Sequence, residues 1–177
     1  LPAQRYAGRS GRLDVLVVGG SLGAQALNDA VPRALALLQP AERPRVTHQS
    51  GAKQIDDLRA AYAATGVEAE LLPFIDDMAA RYAAADLVVC RAGATTLAEL
   101  TVCKKPSILV PFPAAADNHQ LKNALSLASA GAAVMLEERD LTGEVLAREI
   151  RAILASPERL DRMARAADHE NARCREQ

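Results

Sequence analysis

Leu13-Asp14-Val15-Leu16-Val17-Val18 runs directly into Gly19-Gly20-Ser21-Leu22-Gly23-Ala24, and a helical pattern begins at once. An apolar run of this length bounded by glycine reads as a strand buried on both faces, followed by a tight turn and a helix N-terminus. The first-turn N–H groups of a helix have no intrahelical partner, and glycines let an anion come close to them. The turn therefore reads as a phosphate cradle. Gly19, Gly20, Ser21 and Gly23 are its candidate residues, with Ser21 either capping the helix or donating to a phosphate oxygen. Close strand–helix packing alone is the competing explanation of the same glycines.

Outward from this unit, strand and helix patterns alternate. Leu27, Val31, Ala34, Leu35 and Leu38 recur at helical spacing, with Pro32 expected to kink the helix it interrupts. Further strands are expected at 46–49, 71–72, 86–90, 106–110 and 132–136. A helix carrying Ile55, Leu58 and Tyr62 follows the second strand, and a short one at 78–84 has Asp76 as its expected N-cap. Helices at 96–102 and 119–130 follow, and two more close the chain, capped by Thr142 and by Ser156 before Pro157. This alternation predicts a Rossmann-like, doubly wound α/β domain with a six-stranded parallel sheet covered on both faces. Residues 1–12 read as a linker-like opening segment, 13–167 as the folded body and 168–177 as a frayed tail. Ligands of such sheets bind at the carboxyl ends of the strands.

The composition removes several function classes. The 177 residues are 50% hydrophobic and 24% charged with a net charge of −1, which suits one globular domain and gives no footprint for nucleic acid. With two Phe, three Tyr and no Trp, base-stacking platforms are not expected either. Cys90, Cys103 and Cys174 show no C-x-x-C spacing and form no zinc pattern with His48, His119 and His169. Reduced cysteines and a cytoplasmic setting are the expectation. No apolar run approaches the roughly 20 residues of a membrane helix, and no signal peptide opens the chain. Without a Met at position 1, the chain is expected to be a fragment of something longer.

Motif spacing then separates the nucleotide classes. A dinucleotide fingerprint needs G-x-G-x-x-G, but Val18 stands at its first glycine, and strand two ends in His48-Gln49-Ser50 where the ribose-binding acid belongs. There is no G-K-[ST] for a P-loop. In Arg91-Ala92-Gly93-Ala94-Thr95-Thr96-Leu97-Ala98-Glu99, the Glu99 carboxylate suits two vicinal ribose hydroxyls, but Thr96 and Glu99 also have capping-box spacing. Asp117-Asn118-His119-Gln120 is dense in groups that recognise sugar hydroxyls, although Asp117 and Gln120 have cap spacing too. His119 is a candidate general base with no orienting partner nearby in sequence. In Phe74-Ile75-Asp76-Asp77-Met78, backbone groups could read the edge of a base. The absence of any D-x-D leaves no indication of a metal bridging a diphosphate.

Taken in order, these segments resemble a known family. The matching runs are Gly19 to Asn28, His48-Gln49-Ser50-Gly51, Phe74 to Met78 and Cys90 to Ala94 with Glu99. Val110-Pro111-Phe112-Pro113 and Asp117 to Gln120 with Asn123-Ala124 complete them. Over about residues 2–167 the chain resembles the carboxy-terminal half of the MurG family of peptidoglycan N-acetylglucosaminyltransferases, which belongs to glycosyltransferase family 28. The resemblance implies the C-terminal domain of a GT-B glycosyltransferase, with residues 13–167 as the UDP-sugar donor domain. It further implies inverting transfer of N-acetylglucosamine from UDP-N-acetylglucosamine to lipid I, giving lipid II, with no cofactor and no metal. Carried over by position, Gly19, Gly20, Ser21 and Gly23 bind the diphosphate, assisted by Arg5. Ile75, with Met78 nearby, meets uracil, and Gly93 and Ala94 line the site. Glu99 holds the ribose, and His119 and Gln120 hold the sugar.

The same resemblance places the lipid I acceptor site, the membrane-contacting patch and the catalytic base on an amino-terminal domain with no counterpart in these residues. In the full enzyme that domain sits on the cytoplasmic face of the plasma membrane, so the isolated chain is expected to bind donor without being active alone. Leu22 departs from relatives that carry a polar residue there. A UDP-N-acetylglucosamine 2-epimerase-like domain, a non-catalytic nucleotide-sugar-binding module and a dinucleotide dehydrogenase are the alternatives.

Overall fold

The computed structural model describes residues 12–20 and 23–177. Six strands, β1 (Asp14–Val18), β2 (Arg45–Gln49), β3 (Glu70–Leu72), β4 (Leu87–Cys90), β5 (Ser107–Leu109) and β6 (Ala133–Met135), form one sheet. Its order is β3-β2-β1-β4-β5-β6, and every pairing is parallel. The helices are α1 (Gln25–Leu37), α2 (Ile55–Thr65), α3 (Met78–Ala84), α4 (Ala94–Val102), α5 (His119–Ser129), α6 (Gly143–Leu154) and α7 (Pro157–Arg175). This is the six-stranded, doubly wound arrangement predicted from the sequence. The chain builds outward from β1 in one direction, then returns to build from its other side. The switch point therefore lies between β1 and β4, where Val18 pairs with Cys90.

Side chains alternate across each strand, so β1 feeds two cores. Val15 and Val17 join Leu27, Val31 and Leu35 of α1, Leu58 and Tyr62 of α2, and Leu146, Ile150 and Ile153 of α6 on one face. Leu16 and Val18 join Tyr82 of α3, Leu100 of α4 and Leu127 of α5 on the other. Burial on both faces explains why these strands read as unbroken apolar runs. The two cores fix the helices, and the helices fix the loops at the carboxyl rim.

Several local expectations shift. Helix α1 is continuous through the buried Pro32. Asp77, not Asp76, caps α3, its carboxylate accepting from the Ala80 N–H at 3.2 Å. Thr142 and Ser156 cap α6 and α7 as expected. The segment 168–177 is not a frayed tail, because α7 runs to Arg175. Small residues let it lie close: Ala164 is buried in the first core and Ala167 in the second. Further along, Glu170 is buried and pairs with Arg173 at 3.3 Å, while Asp168 pairs with Lys104 at 3.6 Å. Among the described residues no helix is long and apolar enough to cross a membrane.

One polar chain threads the first core. The fully buried His48 places Nδ1 2.8 Å from the Tyr62 hydroxyl and Nε2 2.9 Å from Asn28 Oδ1. The Asn28 amide nitrogen donates to Gln54 Oε1. Asn28 Oδ1 must then accept, so Nε2 carries the histidine proton and Nδ1 accepts from Tyr62. Burial pushes the His48 pKa down to about 3 and the Tyr62 phenol up.

This lowered pKa gives a pH dependence of stability. Below its ordinary value near 6.5, His48 takes up a proton when unfolded but not when folded, until about pH 3. Stability is therefore full above about pH 6.5 and falls with pH below it, losing about 2 kcal/mol between pH 7 and pH 5. Urea unfolding across that range should show this slope in the wild type and lack it in His48→Gln; an equal slope in both would refute the assignment.

Candidate functional site

The rim at the strands' carboxyl ends is built from peptides that hold one another through side-chain amides. At the end of β1, Gly19 and Gly20 aim their N–H groups inward at Gln49 Oε1, at 3.1 and 3.0 Å. The Gly23 N–H is likewise occupied, donating to the Gly20 carbonyl at 3.0 Å. The three glycines thus shape the turn, and their amides are already committed inside the protein. Glycine is required at Gly23, where φ is +78° and a Cβ would collide with the Ser50 carbonyl. Ser21 and Arg5, the other two expected diphosphate contacts, lie outside the described residues.

The donors offered to an anion come from the helices instead. Ala24 is the N-cap of α1 and Gly93 that of α4, and among the described residues neither start has a side-chain cap. The first-turn N–H groups of both helices, which lack intrahelical acceptors, thus stand on either side of the switch point. Gly93 has open space where a Cβ would be, so the approach to the α4 N-terminus is unobstructed there. Ala94 is exposed as the first residue of α4.

The capping-box reading of Thr96 and Glu99 does not hold. Helix α4 begins at Ala94, which places Thr96 inside the first turn rather than at the cap. The Glu99 carboxylate lies instead beside the buried Tyr82 phenol of α3, whose pKa is raised by burial first and then by a hydrogen bond with Glu99. The carboxylate is only partly buried, so one side remains available.

After β3, Phe74 is 54% exposed, and Ile75 packs its side chain partly against the second core. What Ile75 offers outward is therefore backbone. Met78, the first residue of α3, packs against the same core.

The β5–α5 loop departs most from expectation. Asp117 and Gln120 form no cap pair, since α5 is capped by Asn118 without a side-chain hydrogen bond. Asp117 and Asn118 both adopt left-handed backbone, with φ of 53° and 55°, a conformation tolerated better by Asp and Asn than by most residues. The Gln120 oxygen accepts from Ala92 N at 3.1 Å and Phe112 N at 2.9 Å, while Asn123 Nδ2 donates to Ala92 O at 3.0 Å. Gln120 therefore ties the β4 and β5 loops together, leaving only its NH2 for a sugar. His119 is exposed, and its Nε2 stands 3.9 Å from Asp117 Oδ2, too far for an orienting hydrogen bond.

Two contributors escaped sequence reasoning. Gln49 enters the sequence reading as the place of a missing ribose-binding acid and as part of a matching run, without a role of its own. Arg91, which the sequence reading gives no role within the Arg91–Glu99 run, pairs with Glu138 at 2.6 Å, donates to Val110 O at 3.3 Å and stacks 5.3 Å from the Phe112 ring centroid. Its charge braces the β5 and β6 loops. A cavity of about 500 Å³ opens beside it among Phe112, Asn118, Leu121, Glu137 and Arg139. Another of about 440 Å³ lies at the opposite end of the sheet, among Leu13, Leu38, Leu154 and Leu160, and carries none of the rim residues.

The chain is similar to known proteins. The model of the glycosyltransferase family 28 C-terminal domain matches residues 14–177. A UDP-N-acetylglucosamine–N-acetylmuramyl-(pentapeptide) pyrophosphoryl-undecaprenol N-acetylglucosamine transferase from Anaeromyxobacter sp. (strain K) is 66% identical over 158 residues, covering 89% of this chain and 41% of that protein. The protein of the same name from Burkholderia multivorans is 56% identical over 182 residues, covering 93% and 50%. The crystal structure of Acinetobacter baumannii MurG superimposes with a TM-score of 0.83 at 39% identity, over 93% of this chain and 47% of that one. The chain thus spans about half the length of these relatives, or less. With the family model covering all but its opening residues, the chain belongs to glycosyltransferase family 28, as its C-terminal domain.

Proposed function

We propose that this chain is the donor-binding domain of an inverting N-acetylglucosaminyltransferase of peptidoglycan synthesis. It holds UDP-N-acetylglucosamine, and a facing amino-terminal domain presents lipid I at the cytoplasmic face of the membrane. The observation that carries this reading is the pair of uncapped helix N-termini, α1 and α4, flanking the β1/β4 switch point. In the reaction an acceptor hydroxyl attacks the anomeric carbon from the side opposite UDP. The bond to the β-phosphate oxygen breaks, its electron pair leaves with UDP, and the hydroxyl proton passes to a base on the facing domain. Inversion follows from this single displacement.

The roles of individual residues follow. The helix N-termini, with Ser21 and Arg5, take the diphosphate and the charge that grows on it as the bond breaks. Ile75 presents backbone to the uracil edge with Met78 beside it, Glu99 accepts from the ribose hydroxyls, and the Gln120 NH2 and His119 face the sugar. Gly93 and Ala94 leave room for the ligand. Helix N-termini supply the positive end that other folds obtain from a cation, so binding needs no metal. Each such terminus contributes about 0.3–1 kcal/mol, and up to about 2 when partly buried. Barriers lowered by enzymes are typically about 8–23 kcal/mol. The donor domain alone therefore binds but does not turn over.

Titration of the chain with UDP and with UDP-N-acetylglucosamine tests the reading. Saturable binding that is unchanged by EDTA is expected; no UDP binding, or strict metal dependence, would refute it. Glu99→Gln, which still offers Tyr82 a partner, should weaken UDP by about tenfold or more through the lost charge-assisted hydrogen bonds while melting nearly unchanged. Gln120→Glu keeps the acceptor for Ala92 and Phe112 but loses the NH2. It should weaken UDP-N-acetylglucosamine more than UDP, and equal losses for the two ligands would contradict a sugar contact.

A further inference from the structure

We infer that Gln49 is a positioning residue that holds the diphosphate turn and the base-reading turn in one register; this rests on the donor-site reading above. Gln49 is the last residue of β2 and is 3% exposed, so no ligand reaches its side chain directly. All four of its hydrogen-bonding positions are used. Oε1 accepts from the N–H groups of Gly19 and Gly20, at 3.1 and 3.0 Å. Nε2 donates to the Gly20 carbonyl at 2.9 Å and to the Pro73 carbonyl at 3.0 Å. Exchanging O and N would set donors against donors and acceptors against acceptors, so the amide has one orientation.

Two turns that begin 54 positions apart in the chain thereby meet on one side chain. Gly20, at φ +87°, is gripped at both its N–H and its carbonyl. The same Gly20 carbonyl also accepts from Gly23, which leads into the α1 N-terminus. On the other side, Pro73 precedes Phe74 and Ile75, and its carbonyl accepts from Gly51 N as well as from Gln49. A displacement of either turn is therefore felt by the other through one rigid, planar amide.

Replacement by other side chains shows why glutamine is needed. Glutamate supplies the acceptor but sets a carboxylate oxygen against the Gly20 and Pro73 carbonyls, and leucine strips the Gly20 N–H of its partner and leaves the Gly19 N–H only its 3.2 Å bond to the Gln49 backbone carbonyl. Asparagine is one methylene too short to span the turns. The fixed distance between the phosphate-binding and base-binding elements thus depends on a residue that never touches the ligand.

The test is titration of wild-type chain, Gln49→Leu and Gln49→Glu with UDP and with uridine, well below each melting temperature. Val46→Ala, a buried truncation earlier on the same strand, serves as the stability control. Gln49→Leu is expected to bind UDP at least tenfold more weakly than wild type and to lose affinity for uridine as well, while Val46→Ala melts earlier but binds normally. Should Gln49→Leu fail to fold, Gln49→Glu carries the same expectation. Wild-type affinity for UDP in a folded Gln49 variant, or a loss no greater than that of Val46→Ala, overturns the inference. An unchanged affinity for uridine overturns the linkage of the two turns. If the wild type itself does not bind UDP, the donor-site reading fails and the inference falls with it.

Discussion

Parallel strands end in a row of peptide groups that the sheet no longer pairs, and in this fold those groups must find partners before a ligand can be held. Three side-chain amides meet that requirement. Gln49 joins the turn after β1 to the turn after β3. Gln120 and Asn123 grip the Ala92 peptide from both sides, and Gln120 extends the tie to Phe112 after β5. A buried unpaired peptide group costs about 1–3 kcal/mol, so each tie is both a stability element and a positional one. The loops of the rim satisfy one another's peptide groups.

That economy of polar groups determines what is left for chemistry. With the glycine amides turned inward, the donors facing the switch point are the first-turn N–H groups of α1 and α4, which no side chain among the described residues caps. Helices α3, α6 and α7 are closed by Asp77, Thr142 and Ser156, while α2 and α5 start without a bond from their N-cap side chains but do not flank the switch point. On the proposed reading, the uncapped termini are where negative charge accumulates as UDP departs. On that reading the base-reading turn and Glu99 supply selectivity. On the same proposed reading, the acceptor and the proton transfer fall to a facing domain.

The fold was legible because burial on both faces writes itself as consecutive apolar residues. Val15 to Val18 before Gly19, and Leu87 to Cys90 before the Arg91 loop, needed no tertiary knowledge. Cap positions were less secure, since Asp76 and Asp77 are equally suitable in isolation and only the start of α3 at Met78 chooses between them. The Thr96–Glu99 spacing imitated a cap because pattern alone could not see α4 begin at Gly93–Ala94. The tail read as frayed because its polarity hid the packing of Ala167 and Glu170. Gln49 was illegible for a simpler reason: its partners are Gly19, Gly20 and Pro73, brought together only by strand pairing.

The central claim is that one ligand spans the β1, β3, β4 and β5 ends of this rim. Backbone amide chemical shifts recorded while UDP-N-acetylglucosamine is added test it most directly. The account predicts that the largest changes cluster at the α1 and α4 N-termini, at Phe74 to Met78 and around Gln120. Changes confined to the opposite end of the sheet, around Leu13, Leu38 and Leu154, would contradict it.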